Sequence, residues 1–147
     1  LFFFREHRIR FQQEFARKTR GLPKSIDKRL DLFCEKLETL LDLKDEKPAL
    51  LHGDLWSGNY FASDDQVPYI FDPAVYFGLR EADLAMTEMF GRLPEEFYRA
   101  YHEVFPTQPG YSERKEIYNL YHLLNHYNLF GGSYLEQADQ TVRSFLD

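Results

Sequence analysis

The chain has 147 residues, about one domain's worth, with 18 Lys and Arg against 24 Asp and Glu for a net charge of −6. That balance excludes a general attraction to nucleic acid or to an anionic membrane surface. Its 44% hydrophobic content and 17% aromatics exclude a disordered chain and predict broad packed or stacking surfaces.

Residues 2–18 are predicted as a helix with Phe4, Ile9, Phe11 and Phe15 at its apolar positions, although their spacing is imperfect. The bases of this stretch, Arg5, Arg8, Arg10, Arg17, Lys18 and Arg20, fit a solvated helix face. Leu1-Phe2-Phe3-Phe4 is too short for a signal segment, and no apolar run reaches the length of a membrane span. A chain opening on four large apolar residues is expected to be cut from something longer. Gly21 and Pro23 end the helix, and Ser25 is a candidate cap for the next. There Ile26, Leu30, Phe33, Leu37, Leu40 and Leu41 repeat at the spacing of one buried stripe. Cys34, the only cysteine, sits among them. It excludes an intrachain disulfide framework and predicts a buried, reduced thiol suited to a cytoplasmic protein. Lys44 to Lys47 is predicted as a charged turn.

Ala49 to His52 is a short apolar run leading into a loop. Asn59–Ala62 and Tyr69–Phe71 are predicted as two short strands around the turn Ser63-Asp64-Asp65-Gln66. The remainder is expected to be helical. One helix runs from Glu81 to Phe90 and stops at Gly91. A second begins with Pro94 in its first turn and carries Phe97, Tyr101, Val104 and Phe105. A third runs from a Ser112 cap to about Leu129, and the last from Tyr134 to Phe145 after Gly131-Gly132. The fold class is therefore α+β, mainly α, with a small catalytic β-hairpin.

The chemistry concentrates in His52-Gly53-Asp54-Leu55-Trp56-Ser57-Gly58-Asn59 and in Asp72 of Ile70-Phe71-Asp72-Pro73. An Asp, an Asn five positions later, and a second Asp beyond the next strand form the layout that moves a phosphoryl group from a nucleotide. Asp54 is the candidate base for the attacking hydroxyl, a role worth about 10²- to 10⁴-fold in rate. Asn59 and Asp72 are the candidate magnesium ligands, one neutral and one charged oxygen for a hard cation. Trp56 offers a flat apolar wall to a sugar ring or a substrate amine, or packs beneath the loop. Phe61 and Phe71 flank the ligands along the strands and are candidates for the floor of an adenine pocket, or for hairpin core. His52 and Gly58 support the loop, Gly58 through an unusual backbone angle or a close approach. Ser57 bonds either phosphate or the loop. Asp83 stands in the first turn of a helix, where it suits the dipole and can brace the loop through backbone N–H groups. His122 and His126 are four apart on a helix without the Glu of the zinc-protease motif, which favours polar packing or, for His126, a substrate contact.

These segments resemble the kinase-like superfamily, and in detail the fructosamine kinase (ketosamine-3-kinase) family. The resemblance is carried by the His52–Asn59 run, by Asp72-Pro73-Ala74-Val75-Tyr76-Phe77-Gly78, by Arg80-Glu81-Ala82-Asp83-Leu84-Ala85-Met86 and by residues 120–131. It implies a protein-kinase-like C-terminal lobe over 1–147, the nucleotide-binding N-terminal lobe being absent from this chain. It implies ATP-dependent phosphorylation of a ketosamine, free or protein-bound, at the sugar 3-hydroxyl, linked to deglycation, with ATP and Mg²⁺ as cofactors. Asp54 is then the base, Asn59 and Asp72 the magnesium ligands, and Trp56 lies by the sugar. Gly53 stands where protein kinases have Arg, and Asp72-Pro73-Ala74 where they have Asp-Phe-Gly, which argues against control by a phosphorylated activation loop.

No glycine-rich loop and no strand Lys precede His52, although a kinase covers its nucleotide phosphates with both. The chain alone is therefore expected to be inactive and to expose apolar surface that favours self-association. Two other functions fit the residues: a phosphotransferase of the aminoglycoside or choline-kinase kind, and a non-catalytic module derived from a kinase. Intact Asp54, Asn59 and Asp72 argue against the second.

Overall fold

The computed structural model describes residues 1–41 and 46–146. Of the predicted turn from Lys44 to Lys47, positions 44 and 45 lie outside the described residues. The chain divides into two compact units, Leu1–Lys44 with Glu116–Asp147, and Asp45–Lys115. Among the described residues no helix is long and apolar enough to cross a membrane.

The first unit is helical. A π-helical stretch, Phe4–Arg10, runs into α1 (Phe11–Thr19), followed by α2 (Lys24–Leu40). The long α5 (Tyr111–Phe130) lies in this unit beyond its first five residues, and α6 (Tyr134–Leu146) closes it. Its core includes Ile9, Ala16, Leu30, Phe33, Leu37, Ile117, Leu120, Leu124 and Val142, all fully buried. The stripe predicted for α2 is the buried one, and Cys34 lies in it with its thiol pushed up to about 11 by burial. α2 meets α6 through Phe33 on Phe145 and through Arg29, which pairs with Asp139 at 2.6 Å.

Four expectations for this unit need correction. The odd spacing of Phe4 and Ile9 reflects a helical turn widened by the π pattern, not a poor helix. Phe11 and Phe15 are exposed and stack on each other, while Gln12, Gln13 and Ala16 face inward. That inward face is stable because its amides are bonded: Gln13 to Asp27 and Asp31, Gln12 to Asn125 and Asn128. The basic residues are paired rather than merely solvated. Arg10 and Arg17 reach Asp31 and Asp27 on α2, and Arg20 donates to the carbonyls of Asn128 and Leu129. At the start of α2, Pro23 occupies the capping position with no side-chain bond, so Ser25 lies inside the helix.

The second unit carries both sheets. β1 (Ala49–Leu51) pairs antiparallel with β4 (Tyr76–Gly78), with Leu51 opposite Tyr76. β2 (Tyr60–Ala62) and β3 (Pro68–Ile70) form the expected hairpin, with Phe61 opposite Tyr69. α3 (Glu81–Met89) and α4 (Glu95–Val104) follow. Pro94 precedes α4 rather than entering its first turn, and its carbonyl accepts the Phe97 N–H. α5 starts at Tyr111, with the Gly110 carbonyl accepting from Glu113 and Arg114, so the expected Ser112 cap is displaced. The Ser112 hydroxyl bonds the Glu113 carboxylate instead.

Candidate active site

The loop between β1 and β2 is built around His52. The His52 carbonyl accepts the Ala74 N–H at 2.8 Å, and its Nδ1 faces the Asp54 N–H at 3.3 Å. With Nδ1 accepting, Nε2 carries the proton and donates to the Phe71 carbonyl at 2.9 Å. One imidazole thus ties the motif loop to the end of the hairpin beside Asp72. Gly53 makes this closeness possible. Its φ is +82°, and a Cβ there would collide with the Ala74 carbonyl oxygen.

Asp83 holds the same loop from below. Its two carboxylate oxygens accept the backbone N–H groups of His52 (2.7 Å) and Gly53 (2.9 Å). Its pKa is raised, because burial outweighs the two backbone bonds that favour the charged form. The anticipated bracing geometry is the one observed.

Asn59 is buried and donates Nδ2 to the Asp54 carbonyl (2.9 Å) and to Asp54 Oδ2 (3.0 Å). With the amide nitrogen committed to Asp54, the planar side chain turns Oδ1 the other way. The Asn59 carbonyl in turn accepts the Phe71 N–H at 3.1 Å. Asp72 is exposed with φ +52°, a left-handed conformation that Asp tolerates better than most residues. Its two flanks are fixed, Phe71 by Asn59 and His52, and Ala74 by His52. Asp54 and Asn59 are therefore in direct contact, and Asp72 is linked through its neighbour Phe71 to Asn59 and His52.

The remaining predicted residues fall into separate settings. Phe61 and Phe71 lie on one face of the hairpin with ring centroids 5.9 Å apart. Tyr69, which the sequence reading passed over, stacks on Phe61 at 5.1 Å and 11°. All three rings are exposed. The alternation of the strand and its pairing with Phe61 are the signals that could have found Tyr69. Trp56 is partly exposed and meets Phe90 edge-on. Gly58 has no left-handed φ; it serves close approach, since a Cβ there would strike the Trp56 ring. The Ser57 hydroxyl donates to the Phe90 carbonyl at the end of α3, at 2.8 Å. His126 belongs to the other unit. Its Nδ1 lies 2.8 Å from the His122 carbonyl, and its ring lies against Phe130 and Tyr134.

Among the described residues no three His, Cys, Asp or Glu side chains gather as a metal site. One amide oxygen and one carboxylate suit a magnesium ion that brings its own waters and phosphate oxygens.

A hydrogen-bonded Asp–Asn pair on a loop, joined to a second Asp at the end of a hairpin and packed among helices, defines a kinase-like α+β fold. The chain belongs to the fructosamine kinase family, whose sequence profile matches residues 1–147 throughout. It is 48% identical over 145 residues to a protein of Synechocystis named as a ketoamine kinase, covering 98% of this chain and 48% of the relative. Identity to a rice protein named protein-ribulosamine 3-kinase is 42% over 144 residues, covering 98% and 42%. A solved structure from Thermobifida fusca, assigned as a fructosamine-3-kinase, superposes with a TM-score of 0.88 at 36% identity, covering 98% of this chain and 50% of that one. The chain spans about half the length of the relatives it matches.

Proposed function

We propose that this chain is the catalytic, C-terminal lobe of an ATP-dependent kinase that phosphorylates a sugar hydroxyl of ketosamines, free or protein-bound, and so serves deglycation. The observation that carries this reading is the Asp54–Asn59 pair, suspended from Asp83 and joined through His52 to the segment bearing Asp72. Asp54 orients the acceptor hydroxyl and takes its proton as the oxygen attacks phosphorus. Asn59, through Oδ1, and Asp72 would hold a magnesium ion, whose charge would offset that of the phosphoryl oxygens when bound. Phe61 and Phe71, extended by Tyr69, offer the adenine a stacking surface. Trp56 lines the acceptor side. The family resemblance points to the 3-hydroxyl.

The glycine-rich loop and strand Lys that cover the phosphates in kinases are not among these 147 residues. The chain alone therefore turns over little. The reducing cytoplasm suits its one buried thiol, although the rice relative is named as chloroplastic. Self-association has no support in the fold or the relatives and forms no part of this reading.

The test fuses the chain behind the N-terminal half of the Synechocystis relative and supplies a fructosamine with magnesium and ATP. Phosphorylated ketosamine should form with the fusion, stop with EDTA, and be nearly absent with the chain alone. A fusion that binds nucleotide but phosphorylates no ketosamine defeats the substrate assignment. Normal turnover by the chain alone defeats the incomplete-lobe reading.

A further inference from the structure

Trp56 is the chain's only tryptophan, and it is clamped. Beneath it Gly58 lacks the Cβ that would strike the indole. At its edge Phe90, just past the end of α3, meets the ring at 84° with centroids 6.4 Å apart. The backbone on either side is pinned, Ser57 Oγ to the Phe90 carbonyl and the Asn59 N–H to the Trp56 carbonyl at 2.9 Å. Yet 38% of Trp56 is exposed. A held indole that keeps this much surface in water is placed where a ligand can cover it.

We infer that Phe90 is a positioning residue for the acceptor: it fixes the plane of Trp56, and that plane selects the cyclic form of the ketosamine sugar. The inference rests on the proposed placement of Trp56 beside the acceptor. A flat apolar face stacks against the C–H face of a closed sugar ring, which presents its hydrogens in one layer. An open-chain polyol presents no such layer. If the indole could tilt, the distinction between the two would fade. The proposed effect of the Phe90 ring on the acceptor passes through Trp56.

Because the chain has one tryptophan, emission excited beyond the absorption band of its tyrosines reports this residue alone. Two readouts are needed: acrylamide quenching of Trp56, and its emission change on titration with N-ε-fructosyl-lysine, both on the whole 147-residue chain. Phe90→Leu should raise the quenching constant and raise the ketosamine concentration for half-maximal response, each by about 2- to 10-fold, as loss of one aromatic edge implies. Phe90→Tyr keeps the edge and should restore both. Gly58→Ala tips the ring from the other side, should act in the same direction, and serves if Phe90→Leu does not fold. Unchanged quenching and unchanged affinity in folded Phe90→Leu, with a responsive wild type, overturn the positioning role and leave Trp56 on the acceptor. If quenching rises but the wild-type emission ignores the ketosamine, the placement of Trp56 fails, and the selection of a sugar ring falls with it.

Discussion

Asn59 binds Asp54 through its nitrogen, and this decides what each side chain can offer a reaction. Asp54 has Oδ2 engaged by Asn59, which under the proposed reaction leaves Oδ1 for the acceptor hydroxyl and Asn59 Oδ1 for the cation. Asp54→Asn preserves the shape and an oxygen for Asn59, so the loop should persist. In the fused two-lobe form, kcat should fall about 10²- to 10⁴-fold, the usual worth of a general base, with little change in thermal midpoint. A variant retaining most of its turnover would remove Asp54 from the chemistry. Asp83 has a different task, since both its oxygens serve backbone N–H groups. Asp83→Asn offers one oxygen where two were used and turns an NH₂ group toward a donor. The stranded N–H should cost about 1–3 kcal/mol, measured by urea denaturation, together with a loss of turnover. Turnover lost without any loss of stability would mean that Asp83 acts on the substrate rather than on the loop.

The first turn of α3 links separate segments of the second unit. Arg80 pairs with Glu46 at 2.7 Å and donates to the carbonyls of Phe105 and Pro106; Glu81 pairs with Arg114; Asp83 holds the motif loop. The Glu81–Arg114 bond is bidentate, at 2.8 Å for each nitrogen, with Glu81 fully buried. Glu81→Gln leaves a buried guanidinium without its counter-charge and should cost about 3–5 kcal/mol by urea denaturation. Replacing both partners, Glu81→Leu with Arg114→Met, should cost less than Glu81→Gln alone, because no charge remains stranded. A double variant as unstable as the single one would show that the helix turn needs the ion pair itself. The sequence made Asp83 legible because a carboxylate at a helix N-terminus has a known partner type. It hid Glu81, since nothing in the chain order couples position 81 to position 114. The same limit applies to the sheets. The β2–β3 hairpin could be anticipated because its turn residues are local. The β1–β4 pair could not, because three-residue strands with 24 residues between them carry no readable alternation. The α1 face misled because amides filled the buried positions where the stacked Phe11 and Phe15 were expected.

Across the whole chain, stability should depend on pH through one residue of the helical unit. Burial, with the positive charges of His126 and Arg8 adding to it, lowers the pKa of His122 from 6.5 to about 3. The Tyr121 ring lies against it at 4.9 Å and adds no compensating charge. In the unfolded chain this imidazole takes a proton near its ordinary value; in the folded chain it does so only near 3. Between those values unfolding takes up a proton, so the folded state loses stability as pH falls through that window. The slope is at most about 1.4 kcal/mol per pH unit, or about 1–3 kcal/mol between pH 6.5 and 4.5. Native carboxylates that must also protonate would add to the loss, so the quantity to measure is the difference between wild type and His122→Gln. Urea midpoints taken at half-unit steps should converge with those of the variant as the pH is lowered, because only the wild type unfolds toward a newly charged imidazole. A difference that stays constant from pH 7 to 4.5 would mean that half-buried His122 is hydrated enough to titrate normally.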